Sequence, residues 1–344
     1  MSRSDNLRAW LADYADKTEF SGNLLISHKR ETIFESSIGF ANRERRIPLQ
    51  MGSKFRFYSI SKQFTGIAVM LLWEQGLVDL DAHPSKYLPY AKDIDSRITL
   101  RMLLQHTSGL KEITTAAFSE VPGKPDFETA VAELAKQPLD FAPGTGENYR
   151  NTGFVFASLI VEKLSGMPLH KFLQEKVFQP FGMATACCEL GDAPIEGLAT
   201  GYEKENERIV PGRYLNMPSF LGSAYVAGTV YDLQNFYRSV VEKRLLKPET
   251  WDLIYTCSAV GQFGIGCIPF RWDGRLTYQN NGGHVGFRTI HRLLPEDDFD
   301  IILLSNTAWG DARTDIMNAV HKFYLDGTNA DLHQPEMDKG FATK

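Results

Sequence analysis

The stretch Phe57-Tyr58-Ser59-Ile60-Ser61-Lys62-Gln63 opens an apolar run in which Phe64, Ile67, Ala68, Leu71 and Leu72 recur at helical spacing. Gly76 follows in the position of a helix C-cap. Ser59 and Lys62 stand three apart, so on a helix they share one face a turn apart. A hydroxyl is a weak nucleophile until a base takes its proton. A lysine serves as that base only when burial disfavours its charged form. A serine at a helix start also brings backbone N–H groups to charge developing on a substrate oxygen. Taken alone, Ser-x-x-Lys arises by chance in many chains. The competing reading makes Ser59 an N-cap and leaves Lys62 in solvent. Ser61 lies about 100° off the shared face and reads as a supporting residue.

Downstream, Pro143-Gly144-Thr145-Gly146-Glu147-Asn148-Tyr149-Arg150-Asn151-Thr152-Gly153 is a Gly-rich turn ahead of a second helical pattern, Gly153–Leu164. Side chains project from such a turn into a cleft. A phenol at Tyr149 can relay a proton there, and an amide at Asn151 can orient a lysine or a substrate carbonyl. The alternative is an ordinary helix start, with Asn151 as the cap and Tyr149 packed. Later still, Asn280-Asn281-Gly282-Gly283-His284-Val285-Gly286-Phe287 leads into a strand-like run from Gly286. Glycines admit a substrate close to a strand edge, and an N–H on that edge helps bind an oxyanion. His284 beside them can hold a proton or a substrate carboxylate. The alternative is a glycine-rich hairpin entry with a solvated histidine.

The rest of the chain places these segments. Leu7, Trp10, Leu11 and Tyr14 predict a first helix over about residues 5–16. Gly22–His28 and Glu31–Ile38 read as strands joined in a hairpin at Lys29-Arg30. Helical patterns follow at Phe127–Ala135, Gly153–Leu164, Leu169–Phe178 and Tyr231–Val241. Strand signals return at Gln262–Ile268, Leu276–Gln279, Gly286–Leu294 and Phe299–Ser305, and Asp315–Tyr324 predicts a last helix. Strands at both ends with helices between predict an α/β (α+β) fold. One antiparallel sheet is built from both chain ends and flanked by helices, with a mostly helical region inserted in its middle. The predicted division is 1–58 with 255–330 for the sheet region, 59–254 for the insertion and 331–344 as a loosely held tail. A cleft between the two regions is where a site is expected.

Composition narrows the function classes. The chain has 344 residues, 43% hydrophobic and 23% charged, which is globular composition. Its net charge is −5 with Lys and Arg scattered, which argues against nucleic acid as the main partner. Four cysteines, two of them adjacent, make no disulfide framework in a chain this long and read as free thiols. The N-terminus lacks the apolar core of a signal peptide, and no run approaches about 18 apolar residues, so the expected location is cytoplasmic, without a membrane span. There is no Gly-x-Ser-x-Gly elbow, no His-Glu-x-x-His and no paired Cys-x-x-Cys. Gly264-Ile265-Gly266 lacks the third glycine of a dinucleotide fingerprint. No metal and no cofactor are expected.

Ser-x-x-Lys opening an apolar helix, Tyr-x-Asn before a second helix and His-x-Gly before a late strand occur here in one order. That order resembles the serine penicillin-recognising family of class C β-lactamases, D,D-peptidases, D-aminopeptidases and related esterases and transesterases. The segments Ile98–Leu110 and Val177–Met183 are similar to the family's as well, and the resemblance spans roughly residues 18–325. It implies a β-lactamase/transpeptidase-like fold in which Ser59 is the acylated nucleophile and Lys62 its proton acceptor. Tyr149 would relay protons to the leaving group and activate the incoming water or alcohol, while Asn151 orients Lys62 and the substrate. His284 stands where many relatives carry the lysine of Lys-Thr-Gly, a departure that weakens β-lactamase activity in particular. The oxyanion would lie between the N–H groups of Ser59 and Phe287, with Gly286 beside it in the substrate-binding set. His106 would be structural. The resemblance thus implies a serine hydrolase of a small ester or amide, of esterase or D-amino-acid amidase type. Acyl transfer through the same acyl-serine and a non-catalytic binder of the same fold are the competing readings. The aromatic stretches Tyr214–Tyr225 and Phe263–Trp272 either line an acyl pocket or fill the core.

Overall fold

A computed structural model describes residues 2–113, 119–123, 125–191 and 193–326. The predicted tail, 331–344, lies outside the described residues. Six strands form one antiparallel sheet: β1 (Gly22–His28), β2 (Glu31–Ile38), β3 (Ile268–Trp272), β4 (Arg275–His284), β5 (Phe287–Leu294) and β6 (Phe299–Ser305). Their spatial order is β3-β4-β5-β6-β1-β2. The two ends of the chain therefore meet at the β1–β6 pair, where Gly22 lies opposite Ser305 and His28 opposite Phe299. The β1–β2 hairpin closes through Lys29 and Arg30, which both take the left-handed conformation (φ 51° and 65°) that matches the twist of paired strands.

Alternation sorts the two faces of the sheet. Leu24, Ile26, Ile290, Leu294, Ile301 and Leu303 pack against the N-terminal helix Arg3–Thr18 and the C-terminal helix Ala312–Val320. Leu25, Leu293, Ile302 and Leu304 face the larger core of the inserted region. At the centre of that core the helix Ser61–Glu74 buries eleven of its residues. The helix Thr152–Ser165 lies beside it, also apolar around most of its circumference. A helix buried on nearly every side carries no solvent stripe, so its few polar groups are there to meet specific partners.

The predicted strand at Gln262–Ile268 is corrected. Residues 262–267 form a turn-rich loop, and pairing begins only at Ile268, opposite Gln279. Gly264 N–H bonds to the Cys267 carbonyl at 3.0 Å, closing a tight turn in place of a ladder. Phe263, Ile265 and Cys267 are buried because the loop presses onto the central helix, and that burial imitates strand alternation. Strand β4 is also longer than its predicted core, Leu276–Gln279, and carries the whole glycine-containing run to His284 before turning.

Candidate active site

Ser59 sits in a single 3₁₀ turn, Tyr58–Ile60, immediately before the central helix. Tyr58 enters that turn at φ 48° with its hydroxyl donating to the Val285 carbonyl at 2.8 Å. A bulky residue in left-handed conformation is strained and persists only when such contacts hold it. One turn on, Lys62 is 2% exposed. Its Nζ lies 3.1 Å from Ser59 Oγ, 2.8 Å from Asn151 Oδ1 and 2.9 Å from the Ser223 carbonyl. Asn151 Oδ1 and the carbonyl only accept hydrogen bonds, so they take two N–H groups. In the neutral amine the remaining lone pair then faces the Ser59 hydroxyl, which donates to it. Burial pulls the Lys62 pKa down to about 7, opposed by the negative charge of Glu112. The rings of Tyr149 and Phe154 close over the amine at 4.8 and 5.7 Å.

Tyr149 and Asn151 arrive by a fixed route. Asn148 N–H donates to the His106 carbonyl at 3.0 Å and Arg150 N–H to His106 Nδ1 at 3.2 Å. Asn151 N–H donates to Glu112 Oε2 at 2.9 Å. With Nδ1 accepting, the neutral His106 ring carries its proton on Nε2. Burial, and after it the Lys62 charge, hold that imidazole well below its ordinary pKa. Its ring supports Tyr149 at 4.5 Å between centroids, so His106 ends its helix and also carries the tyrosine. Burial pushes the Tyr149 phenol well above its ordinary pKa, with the Ser59 hydroxyl acting in the opposite sense. The phenol is therefore a proton donor at neutral pH and not a standing phenolate. Asn151 precedes the helix Thr152–Ser165 without capping it by its side chain, which is turned to Lys62.

Strand β4 supplies the opposite wall. Val285 and Gly286 form a two-residue turn between His284 and Phe287, a geometry that requires His284 and Phe287 to be a hydrogen-bonded pair. By alternation Gly282 and Asn280 also bond to β5, whereas Asn281 and Gly283 turn their N–H and C=O outward. Pairing with β3 stops at Gln279, so that outer edge is open beside Ser59. At Gly282 a Cβ would fall 1.9 Å from the Phe57 carbonyl, and only glycine permits so close an approach. Asn280 donates to Gln63 Oε1 at 2.9 Å. Asn280 and Asn281 line the cleft together with Ser59, Lys62, His106, Tyr149, Phe263, Gly266, Cys267 and Ile268.

Phe287, the expected oxyanion partner, is not among the residues that line this cleft, and neither is Gly286. Phe287 N–H is spent within the hairpin, and the Gly286 carbonyl accepts from Tyr202 N–H at 3.2 Å. His284 lies at the end of β4, ring to ring with Tyr58 and Phe220 at 5.8 and 5.6 Å. The structure thus gathers Ser59, Lys62, Tyr149 and Asn151, and leaves His284, Gly286 and Phe287 at the hairpin end. Sequence reading missed Asn280, Asn281, Glu112 and the Ser223 carbonyl. The parity of strand positions around Gly282 is the signal that distinguishes the first two.

The loop before β3 roofs the cleft. Glu147 Oε1 accepts from the N–H groups of Gln262 and Phe263 at 2.7 and 3.2 Å, placing the Phe263 ring 4.6 Å from His106 and 5.6 Å from Tyr149. Gly266, at φ 78°, lets the loop settle where a Cβ would be 2.6 Å from the Lys62 carbonyl. Of the two aromatic stretches, Phe263 lines the cleft, whereas Trp272 lies in the core under the terminal helices. Phe220 and Tyr225 are buried and Tyr214 is exposed. Among the described residues, no group of three or more His, Cys, Asp or Glu is placed to hold a metal. None of the described helices is long and apolar enough to cross a membrane.

An antiparallel sheet from both chain ends, with an inserted helical region whose serine turn lies at the sheet edge, is the β-lactamase/transpeptidase type of fold. The chain belongs to the Beta-lactamase family, whose model matches residues 7–322. It is 26% identical over 299 residues to a D-aminopeptidase from Gluconobacter oxydans, covering 83% of this chain and 55% of that one. With the esterase EstB from Burkholderia gladioli it shares 28% identity over 219 residues, 58% of this chain and 55% of the relative. The chain thus spans about half the length of either relative. In fold it is similar to a penicillin-binding protein from Bacillus halodurans, with a TM-score of 0.80, 24% identity, and coverage of 91% of this chain and 99% of that one.

Proposed function

We propose that the chain is a serine hydrolase that cleaves a small ester or amide through an acyl-Ser59 intermediate. The observation that carries this reading is Lys62 Nζ held between two pure acceptors and the Ser59 hydroxyl. Neutral Lys62 takes the Ser59 proton as Oγ bonds to the substrate carbonyl carbon. The resulting oxyanion lies between the N–H groups of Ser59 and Gly283, the latter taking the place expected for Phe287. Tyr149 gives a proton to the departing alkoxide or amine, and regains one from the incoming water as its oxygen attacks the acyl carbon; the bond from that carbon to Ser59 Oγ then breaks, and Oγ takes back the proton held by Lys62. Asn151 keeps Lys62 aimed at Ser59. The cleft wall offers the neutral amides of Asn280 and Asn281, which suits an uncharged ester or amide better than an anionic β-lactam. His284 at the hairpin end remains a candidate contact for a longer substrate.

A second reading rests on the apolar roof. Phe263 is buried with its ring 5.6 Å from that of Tyr149, and an apolar roof there would disfavour water and so favour acyl transfer to an alcohol over hydrolysis. Incubation with a fluorophosphonate, read by intact mass, tests the shared step. One adduct is expected on the protein and none on Ser59→Ala. An unlabelled parent protein, or an adduct that survives the substitution, overturns the proposal. A panel of p-nitrophenyl esters and D- and L-amino-acid anilides, with and without added alcohol, then separates hydrolysis from transfer and ester from amide.

A further inference from the structure

We propose that Glu112 is a positioning residue for the acylation step: its carboxylate anchors the Asn151 backbone and places a negative charge against Lys62. The inference rests on the reading of Lys62 as the base that activates Ser59.

Glu112 belongs to the segment that follows the short helix Leu100–Leu104 and is half-buried. Three hydrogen bonds stitch this segment to the start of the helix Thr152–Ser165. Asn151 N–H donates to Glu112 Oε2 at 2.9 Å, Ile113 N–H to Thr152 Oγ1 at 2.9 Å, and Thr152 Oγ1 to the Lys111 carbonyl at 2.7 Å. A carboxylate in that place answers an N–H at a helix start, where its negative charge is favoured. The same residue whose backbone Glu112 holds sends its side-chain oxygen to Lys62 at 2.8 Å. A displacement of Glu112 is therefore transmitted to the base through one amino acid.

The neighbouring charges leave Glu112 as the carboxylate that acts on the amine. Lys111 and Arg150 both pair with Asp140 on the outer side of the segment. The groups facing Lys62 are the Glu112 carboxylate, the Tyr149 phenol, the neutral His106 imidazole, the amide of Asn151, the Ser223 carbonyl and the Ser59 hydroxyl. Burial favours the free amine, while Glu112 favours the ammonium. The residue thus restrains Asn151 and at the same time opposes the deprotonation of the base.

The test measures the second-order rate of fluorophosphonate labelling from about pH 5 to about pH 9 for the parent chain, Glu112→Gln, Glu112→Ala and Glu112→Asp. Glu112→Gln keeps an acceptor for Asn151 and removes the charge. The midpoint of its acid limb is expected to fall by roughly half to one unit, so that labelling near pH 6 rises about threefold to fivefold relative to its own plateau. Glu112→Ala is expected to show the same midpoint shift and to lose about tenfold in plateau rate, because Asn151 is released. Glu112→Asp keeps the charge, so its midpoint stays near that of the parent while its plateau falls. A limb that does not move in Glu112→Gln and Glu112→Ala, whatever the plateau does, reduces Glu112 to scaffolding and overturns the inference. If the parent chain is never labelled, the acyl-enzyme reading has failed instead.

Discussion

Two cations, Lys62 and Arg292, are buried among the described residues, one on each side of the sheet, and under the proposed function burial makes only one of them useful. Lys62, 2% exposed on the side of the inserted region, has its pKa drawn to about 7 and touches a hydroxyl. Arg292, 3% exposed, has its pKa drawn to about 9 by burial alone. It lies under the terminal helices, with Trp272 and Phe270 rings 4.0 and 5.6 Å from its guanidinium carbon. Its Nε donates to Gln279 Oε1 at 2.7 Å, and its Nη1 finds no hydrogen-bond partner among the described residues. Desolvation disfavours charge in both places. An amine whose pKa falls to neutrality becomes a base, whereas a guanidinium at about 9 keeps its proton. The lysine also has two acceptors that aim its lone pair, and it lines a cleft beside Ser59. Under the proposed function, reactivity comes from directed contacts and access, with burial as a precondition.

The comparison can be broken most strongly at Lys62. Lys62→Ala should slow fluorophosphonate labelling of Ser59 by about a thousandfold at pH 8. An unchanged rate would assign the base elsewhere. A smaller effect follows from acidity. Below about pH 7 Lys62 is an ammonium with no lone pair to offer Ser59, so kcat/KM for a p-nitrophenyl ester should fall about tenfold per unit. His284 is the control, because burial first, and then Arg213 and Arg288, lower its pKa as well. The limb should stay in place in His284→Ala; a displaced limb would make the histidine the titrating group. The smallest effect concerns Arg292. Replacing Arg292 and Gln279 together by Met removes a buried charge without leaving an orphaned amide. Thermal unfolding should then show a gain of about 1 kcal/mol, with labelling of Ser59 unaltered. A clear loss of stability would mean that the guanidinium is held better than its contacts indicate.

The legible parts of the sequence are those in which one physical period dominates. The hairpin strands fall at Gly22–His28 and Glu31–Ile38 and the helix at Phe127–Ala135, as their patterns predict. The Ser59 and Lys62 contact was equally accessible, since a separation of three residues brings side chains together in a 3₁₀ turn running into an α-helix as it does within a helix. Asn151 needed tertiary information. Its side chain has two available uses, cap and ligand of Lys62, and only the approach of the central helix decides between them. The strand edge failed differently. His284-Val285-Gly286 has the look of the expected motif, yet the residues beside Phe57 and Ser59 are Asn280, Asn281 and Gly282. Sliding a motif by a few positions along a strand changes its neighbours entirely, and nothing local to the run fixes where the turn falls. The loop 262–267 misled for a related reason: local alternation records burial, and burial against a helix looks the same as burial in a sheet.

The pairing of Gly22 with Ser305 sets an order of events during synthesis. The first hairpin leaves the ribosome with one side of β1 unsatisfied, and its partner is made only after the whole inserted region. A nascent chain must therefore carry an unpaired, apolar strand until the inserted region has been made. Such long-range closure makes folding slow.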